Sequence, residues 1–195
     1  RRTVAILNGG GSRAGKTFDI CHVLVSIMRS YADPKSKNRK KLYIAVYRDT
    51  SVNARKRTYV DFLKCFDIMG LVEGEDYTTT NSMYVKIEMM GHTIEFLGIP
   101  PKGQQPVGCD ISFINELIEN DNKDSFIGIR RRTELLMLAD WNPSASTHWA
   151  YELNSFNLFR TKTTYLDNKH LPPGLRAEAE SQCPWDFSES ELYLE

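Results

Sequence analysis

Long apolar runs are missing from this chain. No stretch approaches the length that spans a bilayer, and no signal peptide is visible. Cysteine is sparse: Cys21, Cys65, Cys109 and Cys183 stand far apart, with no CxxC pair among them. That spacing excludes a zinc ribbon or a disulfide framework and reads as free thiols in a reducing compartment. The histidines, His22, His92, His148 and His170, are equally scattered and do not suggest a metal centre. Neither sign of charge prevails, because 25 Lys and Arg balance 25 Asp and Glu. Repeats and low-complexity blocks are also lacking. The remaining composition is that of an ordinary soluble protein, and 195 residues suit one domain with a sizeable core.

The balanced total hides an uneven distribution. Lys35, Lys37, Arg39, Lys40 and Lys41 crowd one connection, followed by Arg48, Arg55, Lys56 and Arg57. Acids gather near the end, at Glu178, Glu180, Asp186, Glu189, Glu191 and Glu195. The basic cluster reads either as a surface for nucleic acid or a partner, or as a solvated loop and helix face.

What is present is a glycine-rich turn in a telling context. Gly10-Gly11-Ser12-Arg13-Ala14-Gly15-Lys16-Thr17 spells GxxxxGKT directly after the apolar run Thr3 to Leu7. An amphipathic helix opening at Lys16 follows, its apolar positions being Phe18, Cys21, Val23, Leu24, Ile27 and Met28. Strand, turn and helix in that order make a nest of backbone N–H groups at a helix N-terminus, suited to phosphate. Lys16 offers a point charge to the β/γ-phosphates, and the Thr17 hydroxyl suits Mg²⁺. Gly15 permits close backbone approach. The pattern implies a nucleoside-triphosphate site built from Gly10, Gly11, Ser12, Arg13, Ala14, Gly15, Lys16 and Thr17.

The remaining chain alternates. Leu42 to Tyr47 reads as a buried strand, and Ser51 to Met69 as a helix with Val52, Tyr59, Phe62, Leu63 and Phe66 inward. Met83 to Met89 and Thr93 to Leu97 form a hairpin across Met90-Gly91-His92. After the Pro100-Pro101-Lys102-Gly103 loop comes the strand Ile111 to Ile114, which ends on Asn115-Glu116. Asp121 to Arg132 reads as a helix and Glu134 to Ala139 as a strand. Asn142-Pro143 stops that strand, Ser144 to Phe156 can begin a helix, and Thr161 to Tyr165 makes a late strand. This predicts a mostly parallel central sheet flanked by helices, a P-loop NTPase of the additional-strand, catalytic-glutamate type.

Glu116 suits the task of orienting and deprotonating an attacking water. The residue before it is Asn115 where such motifs usually carry aspartate. Its carbonyl oxygen can hold a metal-bound water but brings no charge, so Mg²⁺ retention is expected to be weaker. Asn115-Glu116 also fits a plain helix N-cap. Arg13 either reaches the γ-phosphate or anchors the loop to an acid. Asn142 either senses the γ-phosphate or simply forms a turn with Pro143. Lys102 and Arg130-Arg131-Arg132 are candidates for contacts across a subunit boundary, with plain surface charge as the alternative. Trp141, Trp149 and Tyr151 suit the core. The adenine lacks a clear reader, with stacking on an aromatic or on Arg48 as the option.

Together these segments resemble the ATPase domain of the large terminase subunit of tailed bacteriophages. The resemblance rests on Gly9 to Thr17, Val46-Tyr47-Arg48 with Arg55, Glu95-Phe96-Leu97-Gly98 and Phe113-Ile114-Asn115-Glu116. It continues through Ala139-Asp140-Trp141-Asn142-Pro143, His148-Trp149 and Thr163-Thr164-Tyr165-Leu166-Asp167-Asn168. It implies a packaging motor that uses ATP and Mg²⁺ to drive double-stranded DNA into a procapsid in the host cell cytoplasm. The implied partners are the portal protein and the small terminase subunit. The implied assembly is a pentameric homo-oligomeric ring, and a monomer in isolation is compatible with it. By motif position, Lys16 and Thr17 are the Walker A pair, Arg13 its arginine, Glu116 the catalytic carboxylate and Asn142 the coupling residue. Residues 1–195 are expected to form a single motor domain, with 160–195 its C-terminal edge or the start of a linker. The family's nuclease domain, and DNA cleavage with it, is expected to be absent from this stretch.

Overall fold

A period of two in burial along the apolar segments sets the architecture. The computed structural model describes residues 3–11, 14–35, 40–81, 85–142, 147–153 and 157–181. In chain order these give β1 (Val4–Gly10), α1 (Lys16–Ala32), β2 (Tyr43–Arg48), α2 (Ser51–Asn53), a π turn (Ala54–Thr58) and α3 (Tyr59–Ile68). Next come β3 (Tyr77–Asn81), β4 (Val85–Met89), β5 (His92–Gly98), β6 (Cys109–Ile114) and α4 (Lys123–Arg132). The series ends with β7 (Thr133–Trp141), β8 (Leu158–Thr163) and α5 (Pro173–Ser181).

Successive residues of the central strands enter opposite cores. Ile44 and Val46 of β2 join one cluster with α1 and α3, while Ala45 and Tyr47 join the other with α4. Leu138 of β7 faces the first, and Met137, Ala139 and Trp141 face the second. A strand covered on both faces therefore reads as a continuous apolar run. The sheet has eight strands in the order β3-β4-β5-β2-β6-β7-β1-β8. From β5 to β8 all neighbours are parallel, and β3 and β4 are antiparallel additions at one edge. A strand does separate β1 from the Asn115-Glu116 strand. It is β7, which comes later in the sequence than either.

Several local expectations are corrected. The helix expected over Ser51 to Met69 is broken by the π turn, which buries Ala54 and Thr58 and leaves Val52 56% exposed. One extra residue in that turn rotates the following face, which a strict helical period does not anticipate. Val23 of α1 also points outward. Residues 147–153, within the helix expected over Ser144 to Phe156, form turns. The flanks at 143–146 and 154–156 lie outside the described residues, as does Met83 of the expected hairpin. That hairpin turns on Met90 and Gly91, both at positive φ (53° and 79°), the pairing that a tight two-residue turn requires. Polar β3 leaves no signal in the sequence, because Thr78 to Asn81 lack an apolar face.

Phe62 lies at the centre of the larger core. It is fully buried, with ring centroids 5.2 Å from Phe96 and 6.3 Å from Phe113. Phe62→Ala is expected to destabilise the domain by about 3–5 kcal/mol, read as a lower urea midpoint at unchanged slope. Among the described residues no helix is long and apolar enough to cross a membrane.

Candidate active site

The parallel strands bring their C-terminal ends to one edge, and the site lies there. Gly15 caps α1 at φ 81°, a left-handed conformation that glycine adopts without strain, and Lys16 opens the helix. A side chain at Gly10 would stand 1.9 Å from the Thr163 carbonyl oxygen of β8, so only glycine fits where these strands close together. The Lys16 ammonium is buried and donates to the carbonyls of Gly10 (2.7 Å) and Gly11 (2.8 Å) and to Asn142 Oδ1 (2.8 Å). Ser12 and Arg13 lie outside the described residues.

Beyond β6 and β7 the side chains converge. Glu116 sits at φ 54° and ψ 58°, a left-handed conformation costing roughly 1–3 kcal/mol in a residue with a Cβ. Its backbone N–H donates to Asp140 Oδ1 (2.8 Å), which fixes that turn. Its carboxylate accepts from the Asn142 backbone N–H (3.2 Å) and side-chain Nδ2 (3.0 Å). Asn142 thus joins Lys16 through its oxygen to Glu116 through its nitrogen. Thr17 Oγ1 donates to Asp140 Oδ2 at 2.9 Å.

Two of the expected assignments, Arg48 and Asn115, have other partners in this network. Arg48 is buried and makes a two-pronged contact with Glu119, through Nε (3.0 Å) and Nη2 (2.9 Å), while Nη1 donates to Asn115 Oδ1 (2.6 Å). Turned inward in this way, Arg48 acts as a scaffold between β2 and the segment after β6. Asn115 Oδ1, the oxygen expected to serve Mg²⁺, also accepts from Thr58 Oγ1 (2.8 Å), so both of its lone pairs are engaged. The π turn is what delivers Thr58 there. Glu119→Ala would leave Arg48 buried with fewer partners. The expected loss is about 3 kcal/mol, the low end of the range for a broken buried pair because Glu119 is partly exposed, measured by urea denaturation.

A cavity of about 380 Å³ opens over these groups. Its lining includes Ala14, Gly15, Lys16, Thr17, Glu116, Asp140 and Asn142, together with Phe18 of α1 and Asp61, Lys64, Cys65 and Ile68 of α3. Burial pushes the Glu116 and Asp140 carboxyls up, each reinforced or opposed by its neighbours, and pushes the Lys16 ammonium down against the pull of both acids. A raised Glu116 suits a general base working near neutral pH. The donors facing the cavity are a hydroxyl and carboxylates, hard oxygens of the kind Mg²⁺ takes. No group of three or more His, Cys, Asp or Glu able to hold a metal occurs among the described residues. That is compatible with Mg²⁺, which takes one or two protein ligands and completes its shell with phosphate and water.

Asp140, Asp61 and Lys64 were missed in the sequence. Asp140 follows apolar residues as Glu116 does, but its importance depends on β7 lying between β1 and β6. Other singled-out residues lie elsewhere. Arg130, Arg131 and Arg132 end α4 at the opposite edge of the sheet, and Lys102 lies in the exposed loop before β6. Lys40 pairs with Asp110 and, at 3.7 Å, with Glu134, while Lys35 and Lys41 are exposed. Lys37 and Arg39 lie outside the described residues, as do Cys183 and the acids from Asp186 onward. His148 and Trp149 both donate to the Asn120 carbonyl (3.1 and 2.8 Å), and Thr164 caps a short turn with Asp167. Asn168 follows that turn and lies beside Gly15. Trp141 packs in the core, as its sequence suggests. Cys21, Cys65 and Cys109 are buried free thiols.

Fold and site together define a mixed α/β protein whose eight-stranded, mostly parallel sheet gathers a lysine, a hydroxyl and two carboxylates at one edge. Solved structures of large terminases share this fold. The large terminase from a thermophilic bacteriophage superposes with a TM-score of 0.67 at 17% identity, over 91% of this chain and 45% of that one. The same protein in complex with ATP-gamma-S gives 0.67 at 18% identity, over 91% and 44%. The HK97 bacteriophage large terminase gives 0.59 at 14% identity, over 98% of this chain and 42% of that one. The chain therefore spans less than half the length of these proteins. No family model matches the sequence, and no curated protein matches it.

Proposed function

We propose that this chain is the ATP-hydrolysing motor domain of a large terminase subunit, a P-loop NTPase of the catalytic-glutamate type that drives double-stranded DNA into a procapsid. The observation that carries this reading is Asn142, which bonds both Lys16 and Glu116 inside one cavity. Lys16 is placed to exchange its carbonyl partners for β/γ-phosphate oxygens. Backbone N–H groups of the loop, with Arg13 among its residues, cradle the phosphates. Glu116 orients a water and takes its proton as the water oxygen bonds the γ-phosphorus and the bridging oxygen leaves with ADP. Thr17 would hold Mg²⁺, which when bound neutralises charge on the β and γ oxygens. Loss of the γ-phosphate would release Lys16 to Asn142 again, and Asn142 would pass that change to Glu116 and to the segment after β7. The complexes of the thermophilic phage's terminase with ADP and ATP-gamma-S support nucleotide binding by this fold.

This reading brings with it a homo-oligomeric ring, pentameric when assembled on the portal, a small terminase subunit, and action at the procapsid in the host cytoplasm. Neighbouring subunits would complete each site, so an isolated monomer would hydrolyse ATP slowly. Asn115 favours a second reading, a nucleotide-binding switch with little turnover. A helicase-like motor is a third. ATP hydrolysis measured across protein concentrations, with and without double-stranded DNA, separates them. The motor predicts turnover that rises with concentration and with DNA, and background rates throughout would support the switch. Strand separation on forked DNA without binding to a portal ring would support the helicase.

A further inference from the structure

Asn115 leaves the site without the carboxylate expected beside Thr17, and the adjacent strand holds one. We propose that Asp140, at the end of β7, takes over the metal-side carboxylate function, receiving hydrogen bonds from water on the nucleotide-bound Mg²⁺ while Asn115 positions it. The inference rests on the ATPase reading above and extends it to a residue that no motif assigns.

The geometry points to this in three ways. First, β6 and β7 are parallel neighbours with Ile114 opposite Ala139, so Asn115 and Asp140 stand side by side one residue further on. Moving a carboxylate from one to the other displaces it by one strand spacing, about 4.8 Å. Second, the orientation of the Asn115 amide is dictated by its partners. Arg48 has donors only, so the amide oxygen must face it, and Nδ2 must face Asp140 (3.0 and 3.3 Å) and Thr17 Oγ1 (3.3 Å). An N–H₂ group cannot accept from a metal-bound water. It can hold a carboxylate still, as it does here. Third, Asp140 is 1% exposed yet lines the cavity, and its Oδ2 lies 2.9 Å from Thr17 Oγ1, the hydroxyl suited to Mg²⁺. Its Oδ1 is fixed by the Glu116 N–H (2.8 Å), so the same group also sets the turn that aims Glu116.

The test measures the affinity of a fluorescent ATP analogue in MgCl₂ and in EDTA. Wild type is expected to gain affinity with Mg²⁺. Asp140→Asn keeps shape and an acceptor for the Glu116 N–H but loses the charge, and the Mg²⁺ gain is expected to fall roughly 10-fold or more. Affinity in EDTA is expected to hold or rise, since a negative charge near the phosphates has gone. The double variant Asn115→Asp/Asp140→Asn, which returns the carboxylate to β6 beside Arg48, is expected to recover the gain. If Asp140→Asn yields no folded protein, Asp140→Ser, with a hydroxyl acceptor, enters the same comparison. An undiminished Mg²⁺ gain in the single variant overturns the assignment alone, as does equal loss of affinity with and without Mg²⁺. A wild type that binds no nucleotide under either condition overturns the ATPase reading and this inference with it.

Discussion

Glu116→Gln is expected to lower steady-state ATP turnover by about 10²–10⁴-fold while nucleotide affinity stays near that of the parent. Glutamine keeps the size of the side chain and one carbonyl acceptor for Asn142, but it cannot take a proton from water. The left-handed backbone at this position keeps the Glu116 N–H bond to Asp140, which the substitution does not touch. Folding should therefore survive, and single-turnover hydrolysis with saturating ATP isolates the chemical step. A variant that turns over like the parent would show that Glu116 is only a turn residue. Affinity that falls with the rate would show that its charge serves binding, since a group acting only in the transition state lowers kcat and kcat/KM together.

Lys16→Ala should abolish the stabilisation that ATP confers on the folded domain. A ligand present at 100 times its Kd stabilises by about 2.7 kcal/mol, which for a chain of this size is a rise in Tm of roughly 5–10 °C. That rise should vanish in the variant. Lys16 sits 7% exposed, and deleting it strands the Gly10 and Gly11 carbonyls and Asn142 Oδ1 beside the cavity, where water can replace the ammonium. Deletion also removes a buried charge whose ionisation burial already opposes. The unliganded variant should accordingly melt close to the parent, and a preserved ATP shift would contradict the phosphate role of Lys16.

Local and non-local features were unequally legible in the sequence. Glycine spacing and the apolar runs around it disclosed β1, the turn and α1, because each depends on near neighbours. Asn115-Glu116 stood out as polar residues ending an apolar strand. Asp140 ended one too, beside Trp141 and Asn142, yet strand order alone gives it meaning, and β7 slips between β1 and β6 by a connection that no periodicity encodes. Arg48 illustrates the converse. It stands in the sequence as one option for stacking on adenine, and nothing nearby in the chain announces its partner, the carboxylate of Glu119, 71 residues later. Thr58 became a partner of Asn115 only through the π turn, a single-residue insertion that leaves no compositional trace.

The close approach of Gly10 to the Thr163 carbonyl has a mechanical corollary. Two paired backbones with no room between them for even a methyl group leave no side chain to absorb a displacement. In the motor cycle proposed above, a shift of the glycine turn would therefore press directly on the outermost strand. The Thr164–Asp167 turn, which follows that strand directly, would be the next segment to feel it.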